Sequence, residues 1–285
     1  MKLCLDTSAI NRLEDDPLRD ILVLGIRSMG MVEATAVNLL EIAANTSASR
    51  RRALIGCLHG LAEGRTPLTL PDRLLGNFAR SFHTGSDRVT IRISDDVPNL
   101  SDLLVPPDEF NPAVLEAWRS WRRNLEAQFR DAHYRARPAF ARFRLEGGAL
   151  PDSAPRTLRQ HSSDPAFVLE VANWLYEKST GSSLTKATLA PLLSFAPCFP
   201  LFLLGWSYGS YRMALQERDF GQRKNAGAFD LFSAAYLPFC DRFVTHDRAQ
   251  YRALRLIARF APNHPRVQRW VHFRSLLAPD LPAAV

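Results

Sequence analysis

Cysteine is scarce in this 285-residue chain, and Cys4, Cys57, Cys198 and Cys240 nowhere form a Cys-x-x-Cys pair. That spacing excludes a closely clustered zinc site and a disulfide framework, and thiols in apolar surroundings read as buried groups in a reducing cytosol. Lysine is equally rare: among 36 basic residues only Lys2, Lys178, Lys186 and Lys224 are lysines. No basic segment followed by an apolar run opens the chain, so a signal peptide is not expected and localisation reads as cytoplasmic. No apolar stretch reaches the ~20 helical residues a bilayer requires. The closest approach, Leu189 to Trp206, is broken by Pro191, Pro197, Pro200 and Gly205; it is expected to form two buried helices with a turn between them, and no membrane is expected among the partners. Internal repeats and low-complexity segments are absent, which excludes a solenoid.

What remains is an ordinary globular composition, 46% hydrophobic and 23% charged. The length exceeds one minimal α/β domain, so a domain with a large insertion, or two domains, is expected. A formal charge of +7 and a pI near 9.6 favour a polyanionic partner. Arginine, which carries nearly all of that charge, pairs its planar fork with phosphate.

The run Lys2-Leu-Cys-Leu-Asp6 suits a short buried strand. Asp6-Thr-Ser then begins a turn, and Asp16-Pro17 reads as the N-cap and first residue of a helix towards Ser28. Met31 to Ala36 reads as a second strand, followed by a helix carrying Leu39, Ile42 and Ala43 on one face. Alternating strands and helices imply a parallel sheet with crossover connections. The C-terminal part repeats the pattern: a helix over Phe229–Leu237, a strand over Arg242–Thr245, and a helix from Arg248 to Phe260 that Pro262 and Pro265 stop. Between lies a different tract. Gly64 to Pro112 is rich in Pro, Asp and Ser with one alternating stretch at Val89–Ile93, Ala113–Arg144 and Pro165–Ser179 are helical, and Pro151–Asp164 reads as a surface loop.

Four carboxylates occupy positions where such a sheet presents groups to a ligand, outside the carboxyl ends of its strands. Asp6 ends the first strand, Glu41 lies one turn inside the helix after the second, Asp230 opens a C-terminal helix, and Asp247 follows the strand ending at Thr245. The segments Leu3-Cys-Leu-Asp-Thr-Ser-Ala-Ile10, Ala36-Val-Asn-Leu-Leu-Glu-Ile42, Asp230-Leu-Phe-Ser-Ala-Ala235 and Phe243-Val-Thr-His-Asp247 together resemble the PIN-like nucleases. The resemblance covers roughly residues 1–62 and 200–285. It implies a three-layer α/β fold with a central parallel sheet flanked by helices, discontinuous because a mainly helical insertion of unknown role occupies 63–199.

The resemblance further implies a divalent-metal nuclease. Phosphodiester hydrolysis needs an activated water and neutralised oxyanions, which one or two Mg²⁺ or Mn²⁺ ions provide. Asp6 and Asp247 would ligate directly, Asp230 would complete the site and Glu41 would bind through water, with Thr7, Ser8 and Thr245 orienting ligands. Asp241 is a further supporting acid, and Asp219 lies near the motif. Each acid taken singly has a plainer reading as an N-cap or turn residue, and His246 is expected to point away from the site. In the middle tract Trp118, Trp121, Leu125 and Phe129 recur at helical spacing among arginines. The tryptophans read as a core-facing stripe, while Arg122, Arg123 and Arg130 are candidates for holding nucleic-acid phosphates. RNA or another nucleic acid is the expected partner, with room for a homodimer or a cognate inhibitor protein. Two readings compete with this one: a non-catalytic nucleic-acid-binding or interaction module on the same fold, and a metal-dependent phosphohydrolase of a small substrate.

Overall fold

The computed structural model describes residues 1–93, 112–149, 152–215 and 226–277. Four strands form one parallel sheet: β1 (Lys2–Leu5), β2 (Met31–Glu33), β3 (Arg242–Thr245) and β4 (Arg266–Arg269), in the order β2-β1-β3-β4. The first strand therefore lies centrally, hydrogen-bonded on one side to β2 and on the other to a strand some 240 residues later.

Side chains along a strand alternate between its faces, and the sheet uses both. Leu3, Leu5 and Val244 enter one apolar cluster while Cys4 and Phe243 enter another. The first cluster is completed by α1 (Thr7–Glu14), α2 (Arg19–Met29), α4 (Ala48–Ala62) and α13 (Trp270–Leu277) through Ile10, Leu22, Leu58 and Phe273. The second is completed by α5 (Pro71–His83), α10 (Cys198–Ser210) and α12 (Arg248–Ile257), among others. Helix α3 (Ala36–Ala43) touches both, Leu39 on one side and Val37 on the other.

The middle tract shares the second cluster. Leu75 of α5, Phe129 of the long helix α6 (Pro112–Leu145), Leu158 of α7 (Ala154–Ser163), Val168 and Leu175 of α8 (Pro165–Thr180) and Leu192 of α9 (Lys186–Phe195) pack in one body with Cys4, Phe243 and Leu254. Trp118 and Trp121 are partly buried against the core, as the helical stripe predicts. Helices α9 and α10 meet at a 103° bend, and among the described residues no single helix is long and apolar enough to cross a membrane.

Several local expectations change. Asp6-Thr-Ser opens α1 directly, with the Asp6 carboxylate accepting from Ser8 N as N-cap. Helix α2 starts at Arg19, because Asp16 is drawn instead into a buried ion pair with Arg274 while accepting from Leu18 N. Strand β2 ends at Glu33, since Thr35 turns the chain by capping α3 in a reciprocal bond with Asn38. Pro151–Asp164 contains α7, whose Pro155 sits in the first turn and whose Leu158 and Thr157 are buried, so the proline starts a helix there. The Phe229–Leu237 helix is a short α11 (Ala228–Phe232) running into a 3₁₀ segment, Ser233–Phe239. Val89–Ile93 yields only an isolated bridge, Arg92 to Leu68. Residues 94–111 of the Pro-rich stretch, and Asp219, lie outside the described residues.

Candidate active site

The carboxyl ends of β1 and β3 bring Asp6 and Asp247 together with a shared set of hydroxyls. The Ser8 hydroxyl donates to Asp6 Oδ2 at 2.6 Å and accepts from the backbone N–H of His246 (2.9 Å) and Asp247 (3.2 Å). The Thr245 hydroxyl donates to the same Asp6 oxygen at 3.3 Å and accepts from Asp247 N at 3.0 Å. Asp247 N-caps α12 by accepting from Gln250 N at 2.7 Å, and the Gln250 amide donates to Asp6 Oδ1 at 3.2 Å. Both acids are thus N-caps and members of one network. The plain and the functional readings coincide, because a cap aims its carboxylate along the strand ends, where the positive ends of α1 and α12 also point.

Asn38 fixes α3 to this network, donating to Leu5 O and to the Thr7 hydroxyl at 3.1 Å each. One turn further along α3, Glu41 has a side chain only 15% exposed. Burial, and then the Asp6 charge, raise its pKa to about 7 against the opposing pull of Arg122 and a hydrogen bond from Thr7. Asp230, in the first turn of α11, accepts from Gly227 N at 2.9 Å. Burial raises its pKa well above the ordinary carboxylate range, and repulsion from Asp6, Glu41 and Asp247 adds to the effect. Asp230 therefore feels all three other acids, so the four sequence-predicted residues share one electrostatic neighbourhood.

Arg122 and Glu126, four residues apart and hence on one face of α6, complete it. Arg122 Nη2 lies 3.1 Å from Glu41 Oε1 and its guanidinium stands 5.7 Å from the Phe229 ring centre. Glu126 accepts from Ala228 N (2.9 Å) and Phe229 N (3.3 Å), capping the helix that carries Asp230, and its charge raises Glu41 further. A Cβ on Gly227 would lie 2.9 Å from both Glu126 carboxylate oxygens, so glycine is what lets that cap approach.

The remaining candidates are distributed differently. Asp241 precedes β3 and accepts from Lys2 N at 2.7 Å, at the opposite end of the strand from Asp247; it does not join the acids. Arg123 pairs with Glu116 at 2.7 Å on the exposed face of α6, and Arg130 is half-buried. His246 is half-buried; burial and then the charges of Arg12 and Arg269 lower its pKa. Asn38, Gln250 and Glu126 were not anticipated. Gln250 had a legible signal, standing three residues after an N-cap aspartate; Asn38 and Glu126 show their role only through contacts distant in sequence.

Among the described residues no group of three or more His, Cys, Asp or Glu side chains is disposed to hold one metal ion directly. The donor chemistry nevertheless fits a hard cation. The acids and hydroxyls are all oxygen donors, two of the acids are pushed towards protonation by burial and then by mutual repulsion, and the fully buried Gln250 leaves its Oε1 without a partner. Magnesium, which retains several waters and takes few carboxylates, tolerates such a spread.

Comparison with protein-family models, curated proteins and solved structures finds no match to this chain.

Proposed function

We propose that this chain is a divalent-metal-dependent nuclease of the PIN-like class acting on RNA or single-stranded nucleic acid. The observation that carries the proposal is geometric: Asp6 and Asp247 meet at the carboxyl ends of β1 and β3 through the Ser8 and Thr245 hydroxyls, beside Asp230, whose pKa burial and then the charges of Asp6, Glu41 and Asp247 raise. Structural acids are usually paired; repelling acids at the carboxyl ends of parallel strands mark a ligand site.

Asp6, Asp247 and Asp230 would hold Mg²⁺ or Mn²⁺, with Glu41 acting through water. When bound, such an ion neutralises charge on the phosphoryl group and supplies an activated water. Ser8, Thr245 and Gln250 orient Asp6 by occupying its outer lone pairs, which keeps its carboxylate from rotating. Glu41, with a pKa near 7, can accept or release a proton at neutral pH. Glu126 sets the height of α11 and so the position of Asp230.

The deciding experiment is turnover of labelled RNA, single-stranded DNA and duplex with Mg²⁺, Mn²⁺ or EDTA. Hydrolysis is expected only with metal, and Asp6→Asn or Asp247→Asn should lower it about a hundredfold or more by removing a charge partner without changing shape. Unchanged turnover in both variants, or equal turnover in EDTA, overturns the proposal.

A further inference from the structure

A second cavity, of about 530 Å³, lies between α12 and the edge strand β4 and has no part in the acid cluster. Arg255, Arg259, Arg266 and Arg269 line it, with His264 and His272, and no acidic residue does. Among the described residues none of the four arginines has a carboxylate partner. Arg255 lies in the last turn of α12 and Arg259 in the 3₁₀ turn Ala258–Phe260 that follows it. Arg266 lies in register with Arg242, whose own pKa is lowered by burial and then by Arg266. Folding therefore gathers four guanidinium groups here with no carboxylate beside them among the described residues.

Two buried polar atoms make the cavity more than a charged surface. Gln268 is 6% exposed, lines the cavity, and its Oε1 has no hydrogen-bond partner. The buried Nε of Arg269 also has none. Successive strand side chains point to opposite faces, so the two atoms flank the edge of β4 from either side; the planar guanidinium with its unused N–H suits the oxygens of a phosphate.

Position relates this cavity to the acids. Arg269 pairs with Thr245 across β3 and β4, so the two backbones are about 4.8 Å apart. Thr245 hydrogen-bonds Asp6, and the Arg269 charge reaches His246 beside Asp247. The Arg269 end of the cavity therefore borders the acid cluster, while Arg266, whose backbone N–H donates to Asp241 O, marks the other end of the strand.

We infer that the cavity between α12 and β4 is a phosphate-binding subsite that holds the backbone of the nucleic-acid strand on the Asp247 side of the acid cluster. The identity of the strand as substrate rests on the nuclease reading; the binding of phosphate does not. The cavity grips a flanking phosphodiester, and from its Arg269 end the strand passes the carboxyl ends of β4 and β3 to reach Asp247 and Asp6.

The test is fluorescence anisotropy of a labelled single-stranded 12-mer oligonucleotide in EDTA, where turnover does not intervene. The exposed double variant Arg255→Gln/Arg259→Gln should bind about tenfold or more weakly and lose about one unit of salt slope. Arg259→Lys in the otherwise native chain should keep most of the affinity, which a general loss of folding would not allow. Inorganic pyrophosphate should compete in the native chain and not in the double variant, whereas poly-glutamate of equal charge should compete poorly with both. Unchanged affinity and slope in the double variant overturns the inference. So does equal competition by poly-glutamate, which would make the cavity a docking site for acidic protein. Metal-dependent cleavage separates the two claims. Cleavage with an unmoved KM in the double variant removes the subsite and leaves the nuclease, and arginine-dependent binding without any cleavage does the reverse.

Discussion

Arg122 lies 3.1 Å from Glu41, so a helix of the middle tract supplies the counter-charge to an acid of the N-terminal segment. The tract is therefore part of the site's electrostatics. Removing that guanidinium should raise the pKa of Glu41 beyond about 7, because Arg122 is the larger of the two groups, with Thr7, that lower it. Metal ligands must be deprotonated to bind. We therefore expect Arg122→Gln to weaken Mg²⁺ binding at pH 7 and to move its pH dependence to the alkaline side. Calorimetric titration with Mg²⁺ between pH 6 and 9 reads both; an unmoved profile would detach Glu41 from the metal site.

Burial and then the charges of all three other acids raise the pKa of Asp230. Asn preserves the acceptor for Gly227 N and removes the charge. In EDTA, Asp230→Asn should melt higher than the native chain, while losing most of the stabilisation Mg²⁺ gives. A variant that melts lower in EDTA and keeps the full magnesium response would make Asp230 a structural cap only.

Glu41 also sets a pH dependence of stability. Its folded pKa of about 7 exceeds the unfolded value of about 4.3, so the folded state holds the proton more tightly. That contribution is complete below the unfolded pKa and is lost as pH rises through 7, amounting to a few kcal/mol in order of magnitude. His133, held to about 4 by burial, gives the opposite slope, but between its lowered pKa and about 6.5. Above pH 6.5 the buried acids alone therefore set the slope, Glu41 with Asp230, which is raised in the same direction. Without metal, the native chain should lose stability from pH 6.5 to 8 and Glu41→Gln should lose less, as thermal melts in EDTA would register. Parallel slopes in both chains would contradict the shift.

Helix α10 fixes the depth of α11 through one glycine. A Cβ on Gly205 would stand 2.6 Å from the Leu231 carbonyl oxygen, whereas one on Gly56 of α4 meets nothing within 4 Å. Gly205→Ala should cost about 1–3 kcal/mol by forcing backbone apart, and should lower turnover further by displacing the neighbouring Asp230. Gly56→Ala should stabilise by about 0.5–1 kcal/mol, the ordinary helical gain. Denaturant melts of both variants make the comparison, and a mild effect at Gly205 would show that α11 is free to move.

The sequence made β1, β3 and their terminal acids legible because a short apolar run ending in a carboxylate has few other uses. It concealed α1, since an N-cap aspartate and a turn aspartate begin with the same residues. Strand β4 was hidden because Arg-Val-Gln-Arg has one apolar side chain and owes its extended form to pairing with β3. Helix α7 was hidden by proline and serine that mark a helix start as readily as a loop. Asp241 stands before Arg242, where the sequence reads a strand start, and its tie to Lys2 N there leaves it no part among the acids at the other end. Glu126 carried no local signal; only its bonds to residues 102 and 103 positions later give it a role.

The Ser8 hydroxyl joins Asp6 to the backbone of Asp247 across 239 residues. A chain emerging from the ribosome thus displays Asp6 early, its carboxylate bonded only locally to Ser8 until Thr245 and Gln250 have been made. On the proposed nuclease reading, RNA near the growing chain would meet no assembled acid cluster before that point. The strand order would then time the activity.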